Sequence, residues 1–278
     1  MEIIKSPNNF IIKYIKSLRS KKQREKNEEF IVEGLRFSKE ALKFVGKIVD
    51  NAYYEISRVI VSESFFVEQN GFGLGDDEYL YEKFIIEDKL FKDISDTENP
   101  QGIMITIKIK NVELSMVDVS YMKQLLLLDS LQDPGNMGTV IRTADAFGFD
   151  GILLTDGCVD IYNPKVLRAT MGSVFHIPIF KLKKEYIKEL EELKSGGYRF
   201  IVAHLKGESC SEEVLKREFE RCVLVIGNEA NGVSNEVSSL ADWLIKISMQ
   251  GEAESLNASV AAGILMYELS KKRQSNKL

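Results

Sequence analysis

The chain predicts an α/β protein with a mostly parallel sheet covered on both faces, preceded by a smaller α/β layer. Three observations carry this expectation. Strand-like and helix-like segments alternate through the second half. The apolar run Leu125 to Leu128 has the length of a strand buried on both faces and is far too short to span a membrane. Between Lys110 and Met122 the pattern is mixed and weak, which places a domain boundary near 112 to 120 and gives domains over 1–112 and 120–278.

In the first domain, residues 9 to 18 and 34 to 45 carry apolar residues at helical spacing, with a short strand over 30 to 34 between them. Further strands are expected over 58 to 62, 83 to 87 and within 99 to 109. The sequence GFGLGDD at 71 to 77 mimics a nucleotide-binding loop, but no buried strand leads into it and no helix pattern follows, so it reads as a surface turn. In the second domain, strands are expected at 125 to 128, 152 to 154, 177 to 180, 199 to 204, 223 to 226 and 243 to 247. Helices are expected at 137 to 147, 163 to 171, 183 to 194, 211 to 220, 233 to 240 and 256 to 270. Since chains are rarely knotted, these elements alone suggest an open doubly wound sheet.

Composition narrows the classes. With 278 residues, 44% hydrophobic and 28% charged, the chain is long enough for two cores and fits a globular protein. No signal-peptide pattern opens it, and no stretch approaches membrane-span length. Its three cysteines are odd in number and lack Cys-x-x-Cys spacing, which argues for reduced thiols in a cytoplasmic protein. The two histidines, His176 and His204, have no nearby carboxylate cluster, so no metal is expected. The net charge of -5 conceals a basic excess between Lys5 and Lys26, where Lys13, Lys16, Lys21, Lys22 and Arg24 suit contact with a phosphate backbone.

Three stretches carry chemistry. Leu125 to Gly151 reads as a strand, the turn Gln132-Asp133-Pro134-Gly135-Asn136, and a helix from Met137 with Val140, Ile141, Ala144 and Phe147 on one stripe. Asn136 is placed to cap that helix, and Arg142, off the stripe, leans back over the turn. Such a strand end, turn, helix start and arginine suit an anionic or polar ligand at the carboxyl edge of a parallel sheet. Cys222 to Ser234 runs a buried strand into a loop in which Gly227 permits close approach and Glu229 is a directed carboxylate. Ile247 to Ile264 places Ser255 and Asn257 at a helix start, followed by a helix rich in small residues that suits either core packing or a dimer face.

These stretches, NMGTVIRTADAFG, VIGNEANGVS and SMQGEAESLNASVAAGI, taken together and in this order resemble the signature motifs of the SpoU (TrmH-type) branch of the SPOUT RNA 2′-O-ribose methyltransferases. The segment from Ser6 to Gly34 is similar to the ribosomal-protein-like RNA-binding domain that many of these enzymes carry. The resemblance implies a C-terminal parallel-sheet domain with a deep trefoil knot, S-adenosylmethionine as cofactor, a homodimer with composite sites, and an RNA substrate, ribosomal (23S-type) in preference to transfer RNA. It places functional side chains at Asn136, Arg142, Glu229, Ser255 and Asn257, and mainly backbone cofactor contacts at Gly227, Ile247 and Leu256. Ala230 and Ser248 stand where glycine and proline are common, without removing a functional group. Arg142 is then expected to bind a phosphate and stabilise a developing alkoxide, with Glu229 orienting it. A non-catalytic RNA-binding relative would keep the basic N-terminal domain but could lose Arg142, Glu229 or Asn257, and all three are present.

Overall fold

A computed structural model describes residues 2–46, 53–72, 81–110, 112–210 and 220–275. It divides into two compact units, Met1–Asn111 with Tyr162–Phe175, and Val112–Ile161 with His176–Leu278. The sequence pattern marks one crossing near 112 to 120, and the fold adds an excursion in which Tyr162–Phe175 joins the first unit.

The first unit is a sheet flanked by short helices. Its strands are β1 (Ile3–Ile4), β2 (Glu29–Glu33), β3 (Tyr54–Ser62), β4 (Glu82–Ile86) and β5 (Ile103–Ile109), in the order β1-β4-β3-β5-β2. Only β5 runs antiparallel to its neighbours β3 and β2. The helices are α1 (Phe10–Ser17), α2 (Lys21–Asn27), α3 (Leu35–Ala41), α4 (Glu63–Glu68) and α5 (Asp88–Ile94). Asn9 caps α1 by accepting from the Ile11 N–H at 2.9 Å. Ile11, Ile12 and Ile15 then pack with Ile60, Ile86, Phe91 and Met104 in one core. Phe30 heads a second cluster: its ring stacks on Tyr162 with centroids 4.5 Å apart, and Phe175 lies edge-on to Tyr54 at 5.6 Å. Residues 73 to 77 of the glycine-rich turn lie outside the described residues.

The second unit carries six strands: β6 (Gln124–Leu128), β7 (Gly151–Leu154), β8 (Ile179–Lys181), β9 (Tyr198–Ser209), β10 (Arg221–Ile226) and β11 (Trp243–Lys246). All pairs in the order β11-β9-β10-β6-β7-β8 are parallel, as the apolar runs predict. The helices are α6 (Pro134–Ala146), α8 (Tyr186–Ser195), α9 (Asn235–Ser238) and α10 (Ala258–Ser275), counting Pro164–Thr170 of the first unit as α7. Val140, Ile141 and Ala144 are fully buried on the expected stripe of α6. α10 crosses α6 where Gly263 meets Thr143, and Phe147 lies 5.7 Å from Tyr267, ring centroid to ring centroid. The helix expected over 211 to 220 lies outside the described residues except for its last position. No helix among the described residues is long and apolar enough to cross a membrane.

Candidate active site at the carboxyl ends of two central strands

Strands β6 and β10 are neighbours in register, Leu128 beside Ile226, so the loops that follow them emerge side by side. Parallel sheets commonly bind ligands at such an edge. The helix after β6 starts earlier than the apolar spacing indicates. Asp133 is the cap, its Oδ1 accepting from the Asn136 N–H at 2.7 Å, and Pro134 occupies the first turn, where its missing N–H costs nothing. That relieves the Asn136 side chain of the capping role expected for it.

Asn136 instead joins the other two motifs. Its Nδ2 donates to Glu229 Oε1 at 3.0 Å, and its Oδ1 accepts from Asn257 Nδ2 at 2.9 Å. The orientation is self-consistent: a carboxylate requires the donor end of Asn136, which turns its acceptor end to Asn257. Asn257 in turn spends its Oδ1 on α10, accepting from the Ser259 N–H at 2.9 Å and the Val260 N–H at 3.3 Å. One hydrogen-bonded line, Asn257 to Asn136 to Glu229, thereby joins residues from three distant stretches of chain.

Glu229 also accepts from two main-chain donors, the Gln132 N–H at 3.2 Å and the Asp133 N–H at 3.0 Å. Desolvation pushes its carboxyl up, but the bonds from Asn136, Asp133 and Gln132 outweigh this and hold it below the usual carboxylate range. A depressed value stabilises the fold above the unfolded-state value and loses that contribution as pH falls through the folded one. Glu229→Gln is therefore expected to be less stable than wild type at neutral pH, the difference narrowing below about pH 4 in denaturant titrations across pH. A gap unchanged down to about pH 3 would assign these bonds no stabilising role.

Arg142 lies on the exposed side of α6 and makes no ion pair among the described residues. The Glu229 carboxylate takes its bonds from the β6 loop and Asn136, so it does not orient Arg142 as expected. Ser255 is exposed in the turn before α10. Gly227 is packed so closely on the returning loop that an added Cβ would lie 2.2 Å from the Gly232 carbonyl carbon. The main-chain groups of Gly227, Ile247 and Leu256 have no hydrogen-bond partner among the described residues, while Leu256 and Met249 expose apolar surface nearby in the chain, 37% and 36%. Ser248 hydrogen-bonds Ser209, tying the loop after β11 to β9.

Two features escaped the sequence reading. Asp129, directly after β6, is 2% exposed and receives bonds from Thr155 and Ser234; the signal for it was a carboxylate abutting the apolar run Leu125 to Leu128. Arg24, expected from the sequence to meet phosphate, is 4% exposed, and its Nη1 donates to the Leu18 and Arg19 carbonyls at 2.8 and 2.7 Å. It closes the junction of α1 and α2 and is not available to a phosphate. Lys13, Lys16, Lys21 and Lys22 are exposed. Burial pushes the Cys158 thiol up to about 11, so it is un-ionised at neutral pH, and none of the three cysteines is in a disulfide. Among the described residues no group of His, Cys, Asp and Glu is arranged to hold a metal ion.

Comparison with known proteins places this geometry. Residues 123–267 match the SpoU rRNA Methylase family, and residues 9–105 match the MRM3-like substrate binding domain. The 23S rRNA (guanosine(2553)-2′-O)-methyltransferase RlmP of Bacillus subtilis is 33% identical over 269 residues, covering 97% of this chain and 99% of that protein. An AdoMet-bound rRNA methyltransferase from Sinorhizobium meliloti superposes with a TM-score of 0.83 at 30% identity, over 97% of each chain. The SpoU methyltransferase AviRb from Streptomyces viridochromogenes, at 23% identity, shares the fold with a TM-score of 0.80 over 96% of this chain and 99% of its own.

Proposed function

The chain belongs to the SpoU rRNA methylase family, and from that premise we propose that it methylates a ribose 2′-hydroxyl of 23S-type ribosomal RNA in the cytoplasm. It is an S-adenosylmethionine-dependent RNA methyltransferase of the 2′-O class. The observation that carries the reading is the Asn257–Asn136–Glu229 line, which brings all three motifs to one point.

S-adenosylmethionine supplies a methyl carbon already activated by a sulfonium charge. Gly227, Ile247 and Leu256 fit that group: their unspent main-chain donors and acceptors suit a nucleoside's polar edge, and the Leu256 and Met249 side chains suit its apolar surface. A ribose hydroxyl is a weak nucleophile near neutral pH, so the enzyme's work is alignment and charge stabilisation. Arg142 binds the phosphate beside the target ribose and stabilises the developing alkoxide, with phosphate or water taking the proton, since a guanidinium is too weak an acid to serve as base. Glu229, Asn136 and Asn257 hold the loops in register, and Ser255 faces the ribose from the turn before α10. Val260, Ile264 and Tyr267, exposed at one helical stripe of α10, support a homodimer through that helix. We infer a trefoil knot in this unit from the family, and the packing of α10 on α6 after the edge strand β11 supports it.

The first unit grips RNA backbone through Lys13, Lys16, Lys21 and Lys22. Replacing these four with glutamate is expected to weaken RNA binding and to flatten its log–log salt dependence by about 0.7 to 0.9 for each phosphate no longer neutralised, measured by titration at several salt concentrations. Unchanged affinity and slope would move the RNA surface elsewhere. The reading as a whole is tested by mass-spectrometric mapping of ribose methylation in total rRNA and tRNA with and without the gene. One 23S position lost on deletion, and restored by wild type but not by Arg142→Ala, is the expected result. A lost tRNA position would correct the substrate, and no lost methylation in either pool would overturn the activity.

A further inference from the structure

The loop Gly227 to Ser234 is held to the end of β6 at more places than Glu229. Asn228 Nδ2 donates to the Ser130 carbonyl at 2.8 Å, fixing its start. At its far end the Ser234 N–H donates to Asp129 Oδ2 at 2.7 Å, while Asp129 Oδ1 accepts from the Thr155 hydroxyl at 3.0 Å. Thr155 Oγ1 also accepts from the Ser130 N–H at 2.9 Å, supporting Ser130 at its positive φ of 56°. Asp129 thus spends a buried charge on joining three elements: β6, the turn after β7, and the loop that bears Glu229. An uncompensated carboxylate at this burial would be costly, and a purely apolar residue would fill the space without directing the loop.

Resting on the methyltransferase reading above, we propose that Asp129 is a positioning residue for methyl transfer. Its bond to the Ser234 N–H fixes the far end of the Gly227 to Ser234 loop, so that Glu229 in the middle meets Gln132, Asp133 and Asn136 in one geometry. Without that clamp the loop retains its attachments at Asn228 and Glu229 but gains freedom in where it presents them. The loss therefore falls on the turnover step, where alignment matters, and not on RNA affinity, which the first unit supplies.

The test is steady-state methylation of ribosomal RNA by purified full-length protein, with turnover corrected for active sites by the stoichiometry of S-adenosylmethionine binding. Asp129→Ala is expected to lower kcat about a hundredfold, the scale of an ångström-sized misplacement, with KM for RNA within about twofold. Asp129→Asn should recover most of this, because its Oδ1 still accepts from Ser234 while its Nδ2 donates to a Thr155 hydroxyl turned toward a carbonyl. Should Asp129→Ala fail to fold, Ser234→Pro decides. Its φ of -59° suits proline, which replaces the N–H facing Asp129 with a ring carbon and so breaks that bond, while the control Ser234→Ala removes only the cap of α9. Ser234→Pro should then behave as Asp129→Ala is expected to, and Ser234→Ala as wild type. A folded Asp129→Ala with kcat within about twofold of wild type, or Ser234→Pro indistinguishable from Ser234→Ala, would overturn the proposal. Wild-type protein that transfers no methyl group would instead sink the enzymatic reading on which it rests.

Discussion

Arg142→Ala is expected to cut methyl transfer by about a thousandfold while leaving S-adenosylmethionine affinity within about twofold of wild type. The figure joins the loss of one preorganised donor at a developing oxyanion, roughly two to three powers of ten in kcat, to the loss of a phosphate anchor. The separation of roles follows from placement. Arg142 sits on the exposed face of α6, six residues beyond Asn136 and about 9 Å along the axis, within reach of the loop ends because helical side chains lean toward the N-terminus. The main-chain groups assigned to the cofactor belong to other loops. An exposed side chain without an ion pair should also be removable at little cost in stability, within about 0.5 kcal/mol. Arg142→Lys keeps the charge but not the planar fork, and should fall between the two. Calorimetry beside a single-turnover assay separates binding from transfer. Parallel loss of both in Arg142→Ala would place the arginine in the donor cleft instead.

Residues 1–111 made alone are expected not to hold the structure they have in the intact chain. The first unit includes Tyr162–Phe175, and that segment brings in Val166 and Leu167, 0% and 2% exposed, together with the rings of Tyr162 and Phe175. Phe30, fully buried, and Tyr54 rest against those rings. Deleting one large buried side chain typically costs about 3 to 5 kcal/mol, and a whole domain is stable by only about 5 to 15, so losing four exceeds the margin. Near-ultraviolet circular dichroism and amide dispersion in NMR should show a loosely packed chain. Appending residues 162–175 through a flexible linker should restore cooperative unfolding. A fragment 1–111 with a sharp unfolding transition would show that the aromatic cluster is dispensable.

Much of the second unit was legible because its central strands β6, β7 and β10 are built on apolar runs and each long helix has a stripe. The first unit was harder. Helix α2, KKQREKN, is polar on nearly every face, so no periodicity announces it; the guanidinium of Arg24 holds it against the end of α1. The same residue explains why a basic run misled: composition counts charges but does not say which of them turns inward. The start of α6 slipped because Asn136 was favoured as a cap over the Asp133-Pro134 pair, itself a strong helix-start signal. All three motifs were visible as local strand, turn and helix patterns. Their meeting was not, since which strands become neighbours depends on pairings between residues far apart in the chain. Asp129 went unread for the same reason: its partners Thr155 and Ser234 are 26 and 105 positions away.

The bond between Asn136 and Asn257 spans 121 positions of sequence. During synthesis, the first motif exists for the whole time that this stretch is being made, the second, 93 positions on at Glu229, only for its last part, and throughout it Asn136 lacks its acceptor-side partner. The centre is therefore completed only when the third motif, at the start of α10, has been made. Nascent chains arrested before Asn257 emerges should carry folded strands and no competent site, so the arrival of the third motif, and not the folding of the sheet, sets when the enzyme can act.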